Sequence, residues 1–271
     1  MILNIVIIAA IILASVVQFS RSFLQSSLWR ATVTPLASII GSGFLVLAPI
    51  LVYAYGSKAP LVMGALVLGA YLFGSAIRFN IAVRNAPVSF HDFIAEKLEI
   101  GASWALAFAF MISVTYYLNL FGAFGLSLTP FDSAANAKLL SSVIFVIILA
   151  VGYTRGFSAL EKMEYAAVTF KLAIIAGLLL GLSYYCYAKA VSSTLVLHPP
   201  QLTGWAAITL AFGLIITVQG FETSRYLGDE YSAAVRVKSM QLAQLVAAAI
   251  YMIYITLFAL SFEHEEFRLT E

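Results

Sequence analysis

Long apolar runs separated by short polar connectors make up most of this sequence. A helix crosses a bilayer with about 20 apolar residues. Seven core runs predict spans over residues 33–55, 61–83, 102–126, 138–153, 159–187, 204–225 and 240–262. An earlier, shorter run covers residues 2–17. It predicts either an extra N-terminal span, which we favour, or a helix lying in the membrane interface.

The composition agrees with this pattern. Hydrophobic residues make up 62% of the chain, charged residues 10%, and the mean hydropathy is +0.97. A soluble domain is nearer half apolar and a quarter charged, so the sequence predicts an all-α integral membrane protein. The basic residues lie in short connectors, so the net charge of +2 indicates no nucleic-acid partner. A single cysteine, Cys186, leaves no intrachain disulfide or cysteine-based metal site, and no cofactor is expected.

The first core span is interrupted near its middle by Ile-Ile-Gly-Ser-Gly-Phe at residues 39–44. Each Gly costs about 1 kcal/mol relative to Ala inside a helix. A break within a membrane is tolerated only where it is buried in protein or lines a cavity. The freed N–H groups attract a carboxylate, which indicates a substrate site at mid-membrane. Close packing against another helix explains the small residues equally well.

A second interruption lies in the sixth core span, at residues 219–222, with the sequence Gln-Gly-Phe-Glu. Paired Gly-interrupted spans in corresponding positions are the best sequence indication of a transporter site. The acid here, Glu222, has two interpretations. It either caps the downstream half-helix, because an acid is favourable at a helix N-terminus, or contacts a cationic substrate.

Lys171 is the most informative single residue. It lies about 12 residues into the fifth core span, which at 1.5 Å per residue is ~18 Å, too deep for easy snorkelling. A Lys at the membrane centre costs roughly 2.5–3.5 kcal/mol, so it should face the interior and have a partner. Burial favours the neutral form of a lysine. We expect either a proton-coupling lysine packed against the first break, or an ion pair with Glu164 or Glu222.

A polar stripe in the third core span contains Thr115, Tyr116, Tyr117 and Asn119. Thr115 and Asn119 share a helix face. Such a stripe either bonds a neighbouring helix or lines a cavity. Tyr116 and Asn119 are therefore candidate pocket residues.

Smaller signals lie elsewhere in the chain. Gly177 and Gly181 form a small-xxx-small pattern that predicts a helix contact. Charged residues near the inner ends of two spans have two interpretations. They either form an ion-pair network that gates transport or are simply solvated at the membrane interface: Arg155, Glu161, Lys162, Glu164, Arg225, Asp229 and Glu230. The histidines lie far apart in connectors, which favours surface positions over a metal site: His91, His198 and His264.

The distribution of Lys and Arg predicts the orientation. Cytoplasmic loops carry an excess of both residues. With the loop before Val33 placed in the cytoplasm, the inner side holds Arg21, Arg30, Arg78, Arg84, Lys97, Arg155, Lys162, Arg225, Arg236 and Lys238. The outer side then holds Lys58, Lys138, Lys189 and Arg268. We therefore expect a multi-pass protein of the cell (inner) membrane in this orientation.

Three motifs in this order resemble those of the amino acid–polyamine–organocation (APC) superfamily. Residues 39–43 resemble its first-helix motif. Residues 220–222, followed by Gly-Asp-Glu at 228–230, look like the sixth-helix motif and its acidic loop. Glu-Lys at 161–162 and Phe-Lys-Leu at 170–172 look like the fifth helix. The resemblance covers roughly residues 31–262.

The resemblance implies a leucine-transporter-type bundle of two five-helix inverted repeats, with broken first and sixth helices. Residues 31–190 would form the first repeat, and residues 200–262 would begin an incomplete second repeat. Residues 1–20 and an acidic tail, residues 263–271, lie outside this scheme.

Functional roles follow from the same resemblance. The substrate carboxylate would meet backbone groups of Ile40, Gly41, Ser42 and Gly43. The substrate ammonium would meet carbonyls around Val218, Gln219 and Gly220. Phe221 would act as a gate. Lys171 would take the place of a sodium ion, as in family members that use protons.

The sequence departs from the family pattern in two places. The chain ends after the seventh core span, so the eighth to tenth helices of the implied fold are not in it. We therefore expect either a piece of a longer protein or a partner chain that supplies them. The loop after Glu230 also has Ser-Ala-Ala where prolines are common.

The favoured function is secondary active transport of amino acids or related amines, coupled to protons, with alternating access around the broken helices. The alternative is a non-transporting or incomplete membrane subunit that needs further helices. An enzyme is not expected, because the sequence has no His-Glu-x-x-His or Gly-x-Ser-x-Gly motif.

Overall fold

The computed structural model describes residues 2–41, 43–84, 93–127, 129–228 and 230–262. Several predictions fall outside these residues, namely those on Ser42, His91, Asp229, His264 and the tail at 263–271. The described residues form helices joined by turns and connectors, and they contain no strands. Its α-helices are α1 (Ile2–Gln18), α2 (Arg21–Gln25), α3 (Ser27–Ile39), α4 (Phe44–Tyr55), α5 (Ala59–Arg84), α6 (Phe93–Leu126), α7 (Ala134–Arg155), α8 (Phe157–Val191), α9 (Gly204–Leu214) and α10 (Ala233–Ser261).

Seven helical stretches in the described chain are long and apolar enough to cross a membrane. They are Leu3–Gln25, Phe44–Val83, Lys97–Leu126, Ala134–Arg155, Ser158–Val191, Gly204–Tyr226 and Ala233–Ser261. The all-helical membrane class is therefore confirmed. The second stretch contains both α4 and α5, joined by a 3₁₀ turn, while α3 alone is too short to span. For this reason the described residues contain seven membrane-length stretches, whereas the sequence predicts eight spans.

Several helices begin earlier than the apolar runs predict. Serine side chains cap them: Ser26 accepts from Trp29 N, Ser133 from Asn136 N, and Ser232 from Val235 N. The first helical turn after such a cap is often polar, so hydropathy misses it. The helix of the third core span is likewise longer than predicted, since α6 begins at Phe93, before the predicted start of the span at residue 102.

The described residues form two compact units. One unit comprises those of Met1–Val83 and Glu164–Glu271, and its buried core is built largely from α3, α4, α5 and α10. The other covers Arg84–Met163 and contains the helical hairpin of α6 and α7. In this hairpin Gly122 lies directly against the Ala137 carbonyl, and the Ser141 hydroxyl donates to Leu118 O at 2.6 Å.

The N-terminal helix α1 packs antiparallel along α8. A Cβ on Gly181 would lie 3.0 Å from Ile7, and one on Gly177 would lie 2.6 Å from Ile11. Farther along, the Tyr165 hydroxyl donates to Gln18 O at 2.7 Å. The predicted helix contact at the two glycines is thus confirmed. Residues 2–17 remain a predicted span, with α8 as its packing partner.

The connector between α8 and α9 is non-helical after Ser193, as its prolines predict. It bonds to the end of α4, where Gln201 N and Leu202 N both donate to Ala54 O at 3.1 and 2.9 Å. Gly56 has φ 56°, and a Cβ there would collide with the backbone of His198 and Pro199. Glycine is therefore required for the connector to lie this close.

Candidate functional site

The predicted break in the first core span is present. Helix α3 ends at Ile39, and Ile40 leaves the helical region with φ −86° and ψ 69°. Helix α4 begins at Phe44, whose N–H donates to Gly41 O at 3.2 Å. The N-cap of α4 is Gly43, which supplies no side-chain cap. The first turn of α4 therefore directs N–H groups toward the break, as an anion site requires.

The break in the sixth core span is also present. A 3₁₀ turn, Ile215–Val218, follows α9, Gln219 is extended, and a second 3₁₀ turn covers Phe221–Tyr226. Gly220 between them has φ 108°, a left-handed conformation that L side chains rarely adopt. The downstream segment is thus a 3₁₀ turn rather than the expected α-helix.

The two breaks touch each other at Gly220. A Cβ on this residue would lie 2.6 Å from the backbone carbon and the hydroxyl of Ser38, and 2.8 Å from Ile39 N. No real Cβ is accommodated at such distances without displacement of the α3 backbone. Gly220 therefore serves two purposes, since it adopts the positive φ and allows the two broken spans to approach.

Lys171 lies against the first break, as one of its two interpretations predicts. Its Nζ donates to Ala37 O at 3.1 Å and also to Ile40 O. The last carbonyls of a helix have no partner within the helix, and they carry a partial negative charge. The ammonium therefore caps the C-terminus of α3.

Glu164 lies two helical turns before Lys171 on α8. Its carboxylate accepts a hydrogen bond from the Thr34 hydroxyl at 2.9 Å and attracts the Lys171 ammonium electrostatically. The ion-pair interpretation thus has a specific candidate partner. Thr34 and Glu164 tie α3 to α8 one turn before the carbonyls that Lys171 holds.

Glu222 bonds within its own break. Its carboxylate accepts from Gly220 N at 2.9 Å, and Thr223 Oγ1 donates to Gly220 O at 2.8 Å. The carboxylate thus bonds the residue that precedes the 3₁₀ turn, and the capping and substrate-contact interpretations of Glu222 both stay predictions. The neighbouring Phe221 and Val218 are buried in the core, whereas Gln219 is exposed.

The backbone of Ile40 is fully engaged in this conformation. Its N–H donates to Leu36 O at 3.0 Å, and its carbonyl accepts from Lys171. Of the N–H groups after Ile40, that of Phe44 is engaged by Gly41 O. A small cavity lies at the breaks, with room for about one water molecule, and is lined in part by Ile39, Val218 and Tyr251.

Helix α10 supplies contacts that the sequence reasoning missed. The Tyr251 hydroxyl lies 3.1 Å from Ile39 O and 3.0 Å from Thr217 O, so one side chain reaches both broken spans. The Tyr254 hydroxyl donates to Leu45 O at 3.0 Å. The residue four positions after Leu45 is Pro49, which has no N–H to give that carbonyl. The sequence feature that could have indicated these contacts is the presence of tyrosines within an apolar span.

A buried polar cluster positions α10 against α5. The Gln244 amide donates to Ala70 O at 2.8 Å and accepts from the Arg78 guanidinium. Gly74 leaves the space that the Gln244 side chain occupies. Gln244 lies two turns before Tyr251, so the cluster fixes the same face of α10 that reaches the breaks.

Other predicted site residues lie in the second compact unit. Tyr116 is exposed, and the Asn119 amide donates to Thr115 O at 2.9 Å within α6. The Thr115 hydroxyl likewise donates to Met111 O at 2.8 Å. Their membership of a pocket stays a prediction.

Near the predicted charge network, the structure shows a hydrogen bond to a backbone carbonyl rather than an ion pair. An Arg236 guanidinium N–H donates to Arg225 O at 2.9 Å. Arg155 and Lys162 line an open hollow at the turn between α7 and α8. The gating role of these charges stays a prediction.

A protein-family model described as "APC superfamily transporter" matches residues 21–271. The chain belongs to the APC superfamily of transporters. The match to this family begins at α2, which leaves α1 outside it, as the resemblance indicates.

An uncharacterized protein of Aquifex aeolicus (strain VF5) is 40% identical to this APC superfamily chain over 253 residues. The alignment covers 91% of the chain and 61% of the relative. The chain therefore spans about three fifths of the length of the relative that it matches. No solved structure matches the chain.

Proposed function

We propose that this chain binds substrate and protons in a secondary active transporter of amino acids or related amines, working by alternating access around the two broken spans. The observation that carries the proposal is the contact of the two helix breaks at Gly220. The Lys171 ammonium, held on carbonyls at the end of α3, adds to it. Membership of the APC superfamily supports it.

The substrate carboxylate would bind the N–H groups at the start of α4, with Gly41, Ser42 and Gly43 at the break. Two observations support this: the helix N-terminus is favourable for an anion, and its N-cap Gly43 offers no competing side chain. Carbonyls of Val218, Gln219 and Gly220 would bind the ammonium.

Phe221 would close the site as a gate, and its buried position beside the second break supports that role. Glu222 would stabilise the turn around Gly220 rather than contact the substrate, since its carboxylate is engaged by Gly220 N.

Lys171 would couple the proton to these movements. When charged, its ammonium makes charge-assisted hydrogen bonds to Ala37 O and Ile40 O, which are about twice as strong as neutral ones. Loss of the proton weakens this contact, and the end of α3 is then released from α8. Protonation at one side of the membrane would in this way favour one conformation of the first break.

The test is uptake of a panel of radiolabelled amino acids and amines into proteoliposomes, with and without an imposed pH gradient. We expect the gradient to change the uptake rate of the wild-type protein. Lys171→Ala should lower uptake roughly tenfold or more and remove its dependence on the gradient.

Lys189→Ala provides the matched control, because Lys189 is a lysine at the far end of the same helix, where it packs on Tyr185. It should leave the dependence on the gradient intact. Unchanged proton dependence in Lys171→Ala would contradict the coupling role. Absence of uptake by the wild-type protein for every compound in the panel would contradict transport.

The second candidate is a membrane component that transports only together with further helices. The coverage of the Aquifex aeolicus relative favours it, because 61% of that protein aligns with this chain. Co-expression with the part of the relative that does not align with this chain tests it. Uptake that appears only with this added part would favour the second candidate, and equal uptake without it would exclude it.

A further inference from the structure

The turn between α7 and α8 contains a hollow that the proposed transport does not use. Its volume is about 700 Å³, which lies within the ~300–1,000 Å³ typical of small-molecule sites. We call it the α7–α8 hollow, and we infer that it binds the headgroup of an anionic phospholipid, of the phosphatidylglycerol type. The described residues that line it are Val151, Arg155, Ser158, Ala159, Lys162 and Met163.

The charges of the lining residues favour an anion. Arg155 and Lys162 are both exposed, and none of the described lining residues is acidic. Glu161, the neighbour of Lys162 in sequence, is half-buried and is not one of them. Two like charges on one hollow repel each other, and an anion bound between them removes that repulsion.

The donors in the hollow are suited to a phosphodiester. A guanidinium such as that of Arg155 binds phosphate oxygens in a bidentate manner, and the Lys162 ammonium adds a point charge. The hydroxyl of Ser158 is exposed in the first turn of α8, where backbone N–H groups carry partial positive charge. Because the described lining offers no acid, a headgroup that also carries a positive charge, as in phosphatidylcholine, should bind more weakly.

The α7–α8 hollow lies at the level of the membrane surface. The membrane-length stretch of α7 ends at Arg155, and that of α8 begins at Ser158, so the hollow surrounds the turn between two spans. Tyr153, two residues before Arg155, is 95% exposed, and tyrosines concentrate at membrane–water interfaces. In the predicted orientation this turn faces the cytoplasm, whose leaflet carries the anionic lipids.

The apolar part of the lining favours a lipid over free phosphate. Val151, Ala159 and Met163 are half-buried or exposed and add apolar surface beside the two cations. The glycerol and the first acyl carbons of a lipid gain free energy by covering such surface, whereas inorganic phosphate has no apolar part. Lipid binding at this place does not depend on transport by the chain.

The first test measures lipid binding to the full chain purified in detergent. Native mass spectrometry follows bound lipid during titration with phosphatidylglycerol or with phosphatidylcholine. We expect the wild-type protein to bind phosphatidylglycerol roughly tenfold more tightly, because charge-assisted hydrogen bonds to this lipid are not opposed by a positive headgroup. Equal affinity for the two lipids would overturn the inference.

Arg155→Gln combined with Lys162→Gln removes both cations. The two side chains are exposed, so the double variant should keep its fold. We expect its affinity for phosphatidylglycerol to fall roughly tenfold, because the charge-assisted contacts are lost, while its affinity for phosphatidylcholine stays within about twofold. An unchanged affinity for phosphatidylglycerol would overturn the inference.

Lys138→Gln combined with Lys189→Gln is the matched control. It removes the same net charge from the same two helices, at their opposite ends. Its affinity for phosphatidylglycerol should stay within about twofold of wild type. An equal loss in both double variants would show a general effect of net charge and would overturn a site in the hollow.

A second measurement uses the wild-type protein alone and therefore does not depend on the folding of a variant. The protein is reconstituted in vesicles with a phosphatidylglycerol that carries a photoreactive diazirine near its glycerol. After irradiation, proteolysis and mass spectrometry should locate adducts within residues 151–163, and excess inorganic phosphate should leave them in place. Absence of adducts there, or their loss with inorganic phosphate, would overturn the lipid site.

Discussion

At the scale of single residues, side chains from other helices satisfy the backbone groups that the breaks expose. Lys171 comes from α8 and Tyr251 from α10, and both donate to carbonyls at the end of α3. Glu222 accepts the N–H of Gly220 in the second break. Each break is thus a bonded structure, as the cost of unpaired backbone groups within a membrane requires. Gly220, where the two breaks touch, has little freedom to change.

Gly220→Ala should destabilise the protein by roughly 1–3 kcal/mol, because alanine is strained at φ 108°. The new methyl group would also collide with Ser38 and Ile39 N, so transport should fall more than stability alone explains. Thermal unfolding in detergent and uptake in proteoliposomes check the two effects.

Gly213→Ala is the control for this substitution. Gly213 lies seven residues earlier in α9, and a Cβ there meets no atom within 4 Å. This variant should be neutral or slightly more stable, because alanine is the better helix former. Similar behaviour of the two variants would contradict the close contact between the breaks.

At the scale of helices, α8 and α10 position the broken segments. Helix α8 holds α3 through Lys171 and the pair of Thr34 and Glu164. Helix α10 reaches α3, α4 and the second break with one face, which carries Tyr251 and Tyr254. On its other side α8 receives α1, whose isoleucines fill the space above two glycines.

Gly177→Leu should separate α1 from α8. The larger side chain would occupy the space of Ile11, which lies 2.6 Å from an added Cβ and is stiff because it is β-branched. We expect faster trypsin cleavage at the exposed Arg21, which follows α1, in detergent-purified protein.

Gly69→Leu is the control, since a Cβ on Gly69 meets no atom within 4 Å. Its cleavage rate should equal that of the wild-type protein. If Gly177→Leu is cleaved no faster than this control, the packing of α1 on α8 does not hold the N-terminal helix in place.

At the scale of the whole molecule, the seven membrane-length stretches among the described residues and the APC family match make this a multi-pass membrane protein. Its orientation remains a prediction from the Lys and Arg distribution. The predicted outer side includes the connector that bonds to the end of α4, and the predicted inner side includes the turn between α7 and α8.

Cysteine labelling tests this orientation. In a Cys186→Ala background, Leu197→Cys should react with a membrane-impermeant maleimide added to intact cells, because Leu197 is 75% exposed in the predicted outer connector. Ser158→Cys, exposed in the predicted inner turn, should react only after the membrane is permeabilised. The reverse pattern would contradict the proposed orientation.

The sequence by itself determined the features that depend on local composition. Apolar runs of membrane length predict the helices, because a bilayer favours chains that satisfy their own backbone groups. Glycines and a polar residue inside such runs predict both breaks, and a deep lysine predicts its position facing the interior. Predicting these features does not require knowing which residues are neighbours in the fold, because each of them is energetically costly in a membrane by itself.

Only the tertiary structure decided which groups meet. The paired breaks predict a shared site, but the contact of Gly220 with Ser38 depends on helix packing between residues distant in the chain. Tyr251 looked like an ordinary aromatic of an apolar span, yet its hydroxyl reaches carbonyls 212 and 34 positions away. Helix starts were missed because caps act through single hydrogen bonds, which hydropathy does not register. The hydrogen-bond partner of a backbone carbonyl depends on which residues are close in three dimensions. The pattern of apolar and polar residues along the chain does not encode this proximity.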